Sequence, residues 1–405
     1  MSVGTELLMG QIANTNAQYI SKRLPEVGIG VFYHSVVGDN PGRLKESLKL
    51  ALSRADVVIT TGGLGPTQDD LTKETIAETL GLPMQLHRRS YERIKAYFQN
   101  NGKVMVESNF RQAYFPEGAM IMENDMGTAP GCIIPVGDSQ FVVMLPGPPK
   151  ELNPMFDQCA LPFFAERAEI PLLSRFIRVV GIGESLVEEK IISLVEGQTN
   201  PTFATYAKDG IVTIRITAED DKGQGEALLD RAEAQIKEML GDAVYTSSNE
   251  ELEEVVMKLL KDKGMKIACA ESCTGGQLAQ VITSHAGASD VFAAGVVTYS
   301  EEAKMKLLGV RAETLEQYTV YSPQVAEEMA EGLQNLSGAD VCVSITGVAG
   351  PDGGTEKTPV GTVFIGVKCR DKIFVTEHHF TGGNRDRVRT LSVIHALNNV
   401  RKELV

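Results

Sequence analysis

The chain has no tryptophan among its 405 residues, and aromatic side chains make up 6% of it. It has no run of eighteen apolar residues, which excludes an ordinary transmembrane helix, and its N-terminus lacks the charged-then-apolar pattern of a signal peptide. Basic residues never form a block of five or more, and the net charge is −14. Nucleic-acid binding draws its affinity from clustered Lys and Arg. We therefore expect a cytoplasmic protein that contacts neither membrane nor nucleic acid directly.

Disulfide and zinc frameworks are also absent from the sequence pattern. None of the six cysteines forms a Cys-x-x-Cys pair, and the six histidines show no zinc-ligand spacing. Most of the cysteines lie in apolar, strand-like runs, which in a chain of this size is typical of buried free thiols in a reducing compartment.

The composition, with 43% hydrophobic and 23% charged residues, is that of a globular protein. A chain of this length exceeds one ordinary hydrophobic core. Changes in pattern predict three α/β or α+β domains. These are an N-terminal domain with a parallel or mixed sheet (residues 1–165), a small α+β connecting domain (166–247) and a C-terminal α/β domain (248–405).

Two strand-like runs organise the N-terminal third. Val57–Thr61 and Phe141–Leu145 are short, continuous and rich in β-branched or apolar residues, as expected for strands covered on both faces. A Gly/Pro loop follows each run, and a helical pattern follows each loop. Such units predict a parallel α/β sheet with ligands at the carboxyl ends of its strands.

The loop after the first of these strands combines glycines, a hydroxyl and acidic residues. Gly62, Gly63 and Gly65 allow the backbone to approach a phosphate, and an acid nearby can hold a hard cation that neutralises it. The alternative is that Asp69-Asp70 is simply an acidic pair at a helix N-terminus.

The stretch Ala270–Leu278 is the most informative in the chain. An apolar run, Lys266–Ala270, predicts a strand, and a helical pattern begins at Gln277. Ser272, Thr274 and two glycines fill the turn between them. This arrangement favours an anion, a phosphate or a developing oxyanion, at the helix N-terminus. In the alternative interpretation Ser272 is only a helix N-cap.

Two more clusters support a catalytic interpretation. Ser300 is placed to cap a helix on which Lys304 shares a stripe with two leucines. A partly buried amine can act as a base, whereas a snorkelling surface lysine is the alternative. A second loop of hydroxyls and glycines, Ser344–Gly354, follows another apolar run. No histidine lies in these loops, so a Ser activated by Lys fits the available residues better than a Ser-His-Asp triad.

These segments resemble the C-terminal domain of the CinA family. The resemblance rests on Glu-Ser-Cys-Thr-Gly-Gly, Val-Thr-Tyr-Ser-x-x-Ala-Lys, Ile-Thr-Gly-Val-Ala-Gly-Pro-Asp-Gly-Gly and Gly383-Asn384-Arg385, and covers residues 248–405. That family includes nicotinamide mononucleotide deamidases. The resemblance implies hydrolysis of the nicotinamide carboxamide to a carboxylate with release of ammonia, without a cofactor.

The resemblance also implies roles for single residues. Ser272 would be the nucleophile and Lys304 its base, with Tyr299 and Thr346 orienting groups or relaying protons. The substrate-binding set would comprise main-chain N–H groups around Thr274, Gly275 and Gly276, together with the side chains of Ser289 and Arg385.

The N-terminal third resembles the CinA N-terminal domain, which is similar to the molybdopterin-binding fold. The resemblance covers about residues 1–165, including the segment Pro146–Leu152. It implies a metal-dependent ADP-ribose pyrophosphatase, and so a bifunctional chain. Asp39 and Asp70 are the candidate ligands of a divalent metal ion. The candidate phosphate-cradling residues are Gly62, Gly63, Gly65, Thr67 and Gly147.

The leading hypothesis is thus a pyridine-nucleotide salvage hydrolase that acts on nicotinamide mononucleotide and ADP-ribose, and the resemblance implies a homodimer. Two other classes of function stay open. One is a non-enzymatic adaptor for competence or the DNA-damage response, and the other is a molybdopterin-type binding module, which rests on fold analogy alone.

Overall fold

The computed structural model describes residues 1–102, 104–167, 172–382 and 384–405, so Gly383 of the C-terminal motif lies outside the described residues. The chain divides into two compact units. One comprises Met1–Leu173 with Glu219–Gly225, and the other Ser174–Ala218 with Glu226–Val405. The three-domain division remains a prediction. Among the described residues, none of the helices combines the length and apolar character needed to cross a membrane.

The first unit is built on a mixed six-stranded sheet. Its strands, and those of a separate two-stranded sheet, are β1 (Ser2–Val3), β2 (Val36–Val37), β3 (Val57–Thr61), β4 (Met84–Leu86), β5 (Tyr114–Pro116), β6 (Met120–Met122), β7 (Gly131–Val136) and β8 (Gln140–Leu145). The large sheet has the order β2-β1-β3-β8-β7-β6, and β4 pairs only with β5. Strands β2, β1, β3 and β8 run parallel to one another. Strand β7 pairs antiparallel with β8, and β6 pairs antiparallel with β7. The purely parallel alternative is therefore wrong, and the mixed sheet is confirmed.

Helices cover both faces of this sheet. They are α1 (Thr5–Leu8), α2 (Thr15–Arg23), α3 (Pro41–Leu52), α4 (Thr72–Leu80), α5 (Arg88–Asn100), α6 (Pro149–Met155) and α7 (Leu161–Ala165). Successive residues of β8 point to opposite faces. Val142 packs in one cluster with Leu48 and Ile76, and Val143 in another with Leu152 and Ile20. This two-sided burial explains why the strand is a continuous apolar run.

The middle segment forms a four-stranded sheet with two helices. Its elements are β9 (Leu172–Val180), α8 (Glu184–Val195), β10 (Thr202–Lys208), β11 (Ile211–Glu219), α9 (Gly225–Leu240) and β12 (Val244–Thr246), with strand order β10-β11-β9-β12. In the sequence, Arg175–Val180 and Gly210–Ala218 alternate as strands do, and Glu184–Glu196 and Glu226–Leu240 have a helical period, which predicts only β9, β11, α8 and α9. The missed hairpin had a signal, because Asp209-Gly210 adopts φ of 50° and 82° between β10 and β11, and Asp-Gly favours such a turn.

The C-terminal part contains a five-stranded sheet of order β14-β13-β15-β16-β17. Its elements are α10 (Leu252–Asp262), β13 (Ile267–Glu271), α11 (Gln277–Thr283), β14 (Phe292–Val297), α12 (Glu301–Leu308), α13 (Ala312–Tyr318), α14 (Pro323–Ser337), β15 (Val341–Gly347), β16 (Thr362–Cys369), β17 (Lys372–His379) and α15 (Arg385–Leu404). Strands β14, β13 and β15 are parallel to one another. Strand β16 pairs antiparallel with β15, and β17 pairs antiparallel with β16.

Both faces of this sheet are also covered. Val343 of β15 lies in one cluster with Val256 of α10 and Leu397 of α15. Its neighbour Cys342 faces the other side and packs with Met329 of α14. The middle segment contributes Val180, among other residues, to the first of these clusters, so the two segments share part of one core.

One predicted helix start is displaced. The pattern Ser248-x-x-Glu251 predicts a capping box at Ser248, but α10 begins at Leu252 with Glu251 as its N-cap. The Glu251 N–H donates to the Glu254 carboxylate at 2.7 Å, whereas the Ser248 hydroxyl donates to Glu250. The capping box therefore lies three residues later than predicted, with Glu251 and Glu254 in the positions that the sequence pattern assigns to Ser248 and Glu251.

The cap predicted at Ser300 is confirmed, because its hydroxyl accepts the Ala303 N–H at 3.1 Å at the start of α12. Loss of such a cap costs about 1 kcal/mol. We expect Ser300→Ala to speed hydrogen exchange of the α12 amides about fivefold, as measured by mass spectrometry, and Ser300→Asn to leave it near the wild-type rate. Equal protection in all three proteins would show that the cap does not stabilise α12.

Candidate active site

The C-terminal candidate site lies at the edge where three parallel strands end. Glu271 pairs with Val297 and with Ile345, so β13, β14 and β15 finish side by side. The Ser272 turn follows β13, the segment 298–300 follows β14, and the glycine loop follows β15. The topology therefore brings the three predicted clusters to one place.

Ser272 and Lys304 are in direct contact. The Lys304 amine nitrogen Nζ lies 3.0 Å from the Ser272 hydroxyl oxygen Oγ and donates to the Thr298 carbonyl at 2.7 Å. Ser272 is 4% exposed and Lys304 is 0% exposed. When the amine is neutral, the contact with Oγ can run in the opposite sense, with the hydroxyl donating.

Burial changes the acid–base chemistry of this lysine. Removal from water disfavours the ammonium form and lowers the pKa of Lys304 to about 8, although Cys273 and Glu301 act in the opposite direction. The snorkelling alternative is therefore wrong, because the nitrogen itself points inward. Of the two leucines on the predicted stripe, Leu308 is buried but Leu307 is 44% exposed.

Thr346, Tyr299 and Arg385 surround this pair without contacting the serine hydroxyl. Thr346 is buried beside the Ser272 backbone, and its hydroxyl donates to the Val320 carbonyl at 3.0 Å. Tyr299 is 62% exposed, and its hydroxyl accepts from Arg385 at 3.1 Å. The other Arg385 nitrogen, Nη1, donates to the Gly350 carbonyl at 2.7 Å. The predicted residues thus form a buried pair and a more exposed rim.

The predicted anion cradle in the serine turn is already occupied. The Gly275 N–H donates to the Ser272 carbonyl at 3.1 Å. The Gly276 N–H donates to the Glu271 carboxylate, also at 3.1 Å. The assignment of these two N–H groups to a substrate anion is therefore wrong for this conformation, because the Ser272 carbonyl and the Glu271 carboxylate already accept from them. The Thr274 N–H makes no hydrogen bond within the described ranges.

Arg389 reaches the same turn from α15. Its side chain donates to the Thr274 carbonyl from Nη2 at 2.9 Å and from Nε at 3.3 Å. The Thr274 hydroxyl is buried and has no partner in the described part of the chain. No sequence pattern predicted a role for Glu271, Arg389 or Tyr321. Tyr321 is half-buried, and burial raises its pKa with smaller contributions from Tyr299 and Cys273.

Ser289 is not brought to this site. It lies in the turn before β14 and its carbonyl accepts from Lys266, which precedes β13. Ser272, by contrast, follows β13. Because β13 and β14 are parallel, Ser289 and Ser272 lie at opposite edges of the sheet, separated by a strand of about 16 Å. The predicted contact of Ser289 with the substrate is therefore not formed within this chain.

The N-terminal candidate site is an open cavity of about 560 Å³. Loops that follow β1, β2, β3 and β8 line it, which confirms the predicted position at the carboxyl ends of the strands. Of the predicted residues it contains Gly62, Gly63, Gly65, Gly147, Asp39 and Asp70; Thr67 is not part of the lining. Glycine is required at Gly62, because its φ of 96° is left-handed and a Cβ there would collide with the main-chain oxygen of Val3.

The electrostatic character of this cavity is acidic. Its lining includes Glu6, Asp39, Asp69, Asp70 and Glu151, and no Lys, Arg or His among the described residues. Among the described residues, the charged side chains that a pyrophosphate would meet there are all negative, so it needs a companion cation.

The two predicted metal ligands are held in similar ways. Oxygen Oδ2 of Asp39 accepts the Thr5 N–H at 2.9 Å and its hydroxyl at 2.8 Å. Oxygen Oδ2 of Asp70 accepts the Thr67 N–H at 3.0 Å and its hydroxyl, so Asp70 binds the turn before α4 and does not cap that helix. The Oδ1 atoms have no hydrogen-bond partner in the described ranges.

The described residues contain no cluster of three or more His, Cys, Asp or Glu side chains that could hold a metal. Asp39 and Asp70 line the same cavity, and each offers a free hard oxygen, the type of ligand that Mg²⁺ takes from one or two carboxylates beside substrate phosphates and waters.

The fold and the two sites define a multidomain α/β protein with a buried serine–lysine pair and an acidic nucleotide-sized cavity. Three family models match the chain. They are the probable molybdopterin binding domain (residues 1–166), the damage-inducible protein CinA KH domain (174–246) and the CinA C-terminal domain (249–404). A putative competence-damage inducible protein of Acetivibrio thermocellus is 51% identical over 99% of this chain and 97% of its own length. The chain belongs to the CinA family.

A second relative of similar length agrees with this assignment. A putative competence-damage inducible protein of Clostridium novyi is 49% identical over 100% of this chain and 98% of its own length. The crystal structure of the competence damage-inducible protein A from Klebsiella pneumoniae is 37% identical, covers 38% of this chain and 94% of its own, and has a TM-score of 0.37.

Proposed function

We propose that the C-terminal site hydrolyses the carboxamide of nicotinamide mononucleotide to nicotinate mononucleotide and ammonia. The observation that carries this proposal is the 3.0 Å contact between the buried Lys304 amine and the Ser272 hydroxyl. Together with the family resemblance, it supports an acyl transfer in which the lysine activates the serine.

The chemistry follows from these two groups. Ser272 Oγ adds to the carboxamide carbon while its proton passes to the Lys304 amine. The tetrahedral intermediate then expels ammonia, to which Lys304 returns the proton, and leaves an ester on Ser272. Water attacks that ester, releases the carboxylate and restores the hydroxyl. A lysine with an unshifted pKa would be almost wholly protonated near neutrality and could not begin the sequence.

Substitution of either residue tests this assignment. We expect Ser272→Ala and Lys304→Met each to lower ammonia release from nicotinamide mononucleotide by about a thousandfold or more, as for the loss of a nucleophile or its base. A coupled ammonia assay on the full chain measures this. Lys306→Met, on the same helix, is the matched control and keeps wild-type turnover. Normal turnover by Ser272→Ala would remove Ser272 from the mechanism.

The pH dependence should report the amine. The folded-state pKa of Lys304 is about 8, so about one amine in ten is neutral at pH 7. We expect kcat/KM to rise about tenfold per pH unit below that value and to level off above it, because the profile reports the free enzyme's essential base. A profile that is flat from pH 6 to 9 would contradict the role of Lys304 as base.

For the N-terminal cavity we propose metal-dependent hydrolysis of ADP-ribose to AMP and ribose 5-phosphate. The acidic lining, the glycine loop and the free Oδ1 atoms of Asp39 and Asp70 support a pyrophosphate ligand accompanied by a divalent cation. Such a cation, held by Asp39 and Asp70, neutralises charge that collects on the phosphates. The glycines allow the main chain to approach the same groups.

This second activity has its own test. We expect AMP formation from ADP-ribose to require a divalent ion and to fall at least about a hundredfold in Asp70→Asn, because a metal ligand is lost. Liquid chromatography of the products measures it. Asp138→Asn, an exposed change in the turn between β7 and β8, serves as control. Metal-independent cleavage that persists in Asp70→Asn would defeat the assignment.

The match to a KH domain does not lead us to propose nucleic-acid binding. KH domains grip the nucleic-acid backbone with a Gly-x-x-Gly loop. Residues 174–246 contain no Gly-x-x-Gly sequence, and the chain carries a net charge of −14. A middle domain that supports the neighbouring hydrolase is the better fit to these residues.

We also propose a homodimer, on family resemblance alone.

A further inference from the structure

Glu271 occupies an unusual position for a carboxylate. It is the last residue of β13, directly precedes Ser272 and is 1% exposed. No side-chain cation contacts it in the described part of the chain. Its partners are the main-chain N–H groups of Gly276 (3.1 Å), Leu278 (3.0 Å) and Ala279 (2.8 Å) and the thiol of Cys269 (3.5 Å).

These contacts close the serine turn on itself. The carboxylate binds N–H groups on the far side of the turn from its own Cα, so Ser272 lies within a short loop fixed at both ends. A buried charge is tolerated only where such donors satisfy it, and the arrangement is correspondingly specific. The Ser272 N–H is tied separately to the Ile345 carbonyl at 2.9 Å.

Arg389 holds the same turn from the opposite side. Its guanidinium donates two hydrogen bonds to the Thr274 carbonyl, two residues after the serine. Main-chain N–H groups that follow Ser272 therefore donate to Glu271, and the main-chain carbonyl of Thr274 accepts from Arg389. Both contacts act on the backbone that carries Ser272, and neither reaches the serine hydroxyl.

We propose that Glu271 and Arg389 are positioning residues that hold Ser272 against Lys304 by gripping the serine turn from its N–H and carbonyl sides. The inference rests on the proposed amide hydrolysis. The nucleophile must be held in a near-attack geometry, and a displacement of about 1 Å can cost about a hundredfold in rate. Glu271→Gln is the sharpest probe, because the amide keeps the shape but turns an N–H donor toward groups that already donate.

The experiment compares two reactions of the full-length protein. One is ammonia release from nicotinamide mononucleotide. The other is phosphonylation of Ser272 by a fluorophosphonate, followed by mass spectrometry, which needs no natural substrate. For Glu271→Gln we expect kcat and the phosphonylation rate each to fall about a hundredfold, with KM changed less than about threefold and full final labelling. Glu327→Gln, the same carboxylate-to-carboxamide change at an exposed position of α14, should react at the wild-type rates, and Ser272→Ala is the unlabelled blank.

A purely structural role predicts a different result. Glu271→Gln would then give a smaller labelled fraction, and the folded molecules would react at the wild-type rate; that outcome overturns the proposal. Arg389→Met keeps the aliphatic stem and provides a second test should Glu271→Gln not fold, with an expected fall of about tenfold in kcat and in labelling rate. A raised KM with unchanged labelling would instead make Arg389 a substrate-binding residue.

The two proposals fail in different ways. If wild-type Ser272 is labelled, labelling slows in Glu271→Gln and the wild type releases no ammonia, then the substrate assignment is wrong and the positioning role stands. Unchanged kinetics in both variants beside an active wild type would sink the positioning role alone. A wild type that neither releases ammonia nor reacts at Ser272 overturns both.

Discussion

The C-terminal half of the structure depends on one buried amine. Lys304 is fully removed from water, yet its nitrogen contacts only a hydroxyl and a carbonyl and forms no ion pair among the described residues. An ammonium in that position is costly, because no opposite charge offsets the lost hydration. The cost falls when the amine loses its proton. The fold thereby turns a residue that is normally cationic into a base, and the strands and caps around it keep the amine beside Ser272.

The two candidate sites solve opposite electrostatic problems. The Ser272–Lys304 pair is buried, and the Lys304 amine forms no ion pair among the described residues, which suits proton transfer between neutral partners. The N-terminal cavity is open and lined by carboxylates without a basic side chain among the described residues, which suits a ligand that arrives with a cation. Sheets of similar design, three or four parallel strands continued by antiparallel ones, support both. The chemistry therefore resides in the loops and not in the type of sheet.

The local sequence pattern predicted helices and strands well where their buried residues follow a regular spacing. Val57–Thr61 coincides with β3, and the predicted helix Glu184–Glu196 is within one residue of α8, because continuous apolar runs and helical stripes are set by short stretches of chain. Contacts between distant segments were harder. The pairing of Ser272 with Lys304 was indicated by the residue types available and by the family motifs but not by local pattern, since thirty-two residues and one crossover, β13-α11-β14, separate them. Ser289 was misplaced because a motif does not state at which edge of a sheet a residue lies.

The error at the serine turn has a physical cause that bears on substrate binding. Helix N-termini attract anions, and the sequence pattern correctly indicated one there, but the protein supplies it in Glu271. With those N–H groups satisfied, a substrate phosphate needs other donors. Arg385 stands on the exposed rim beside Tyr299, and its guanidinium can exchange its present neutral partners for a phosphate. In the proposed function, the phosphate would then lie on the rim beside Arg385 while the carboxamide reaches inward to Ser272.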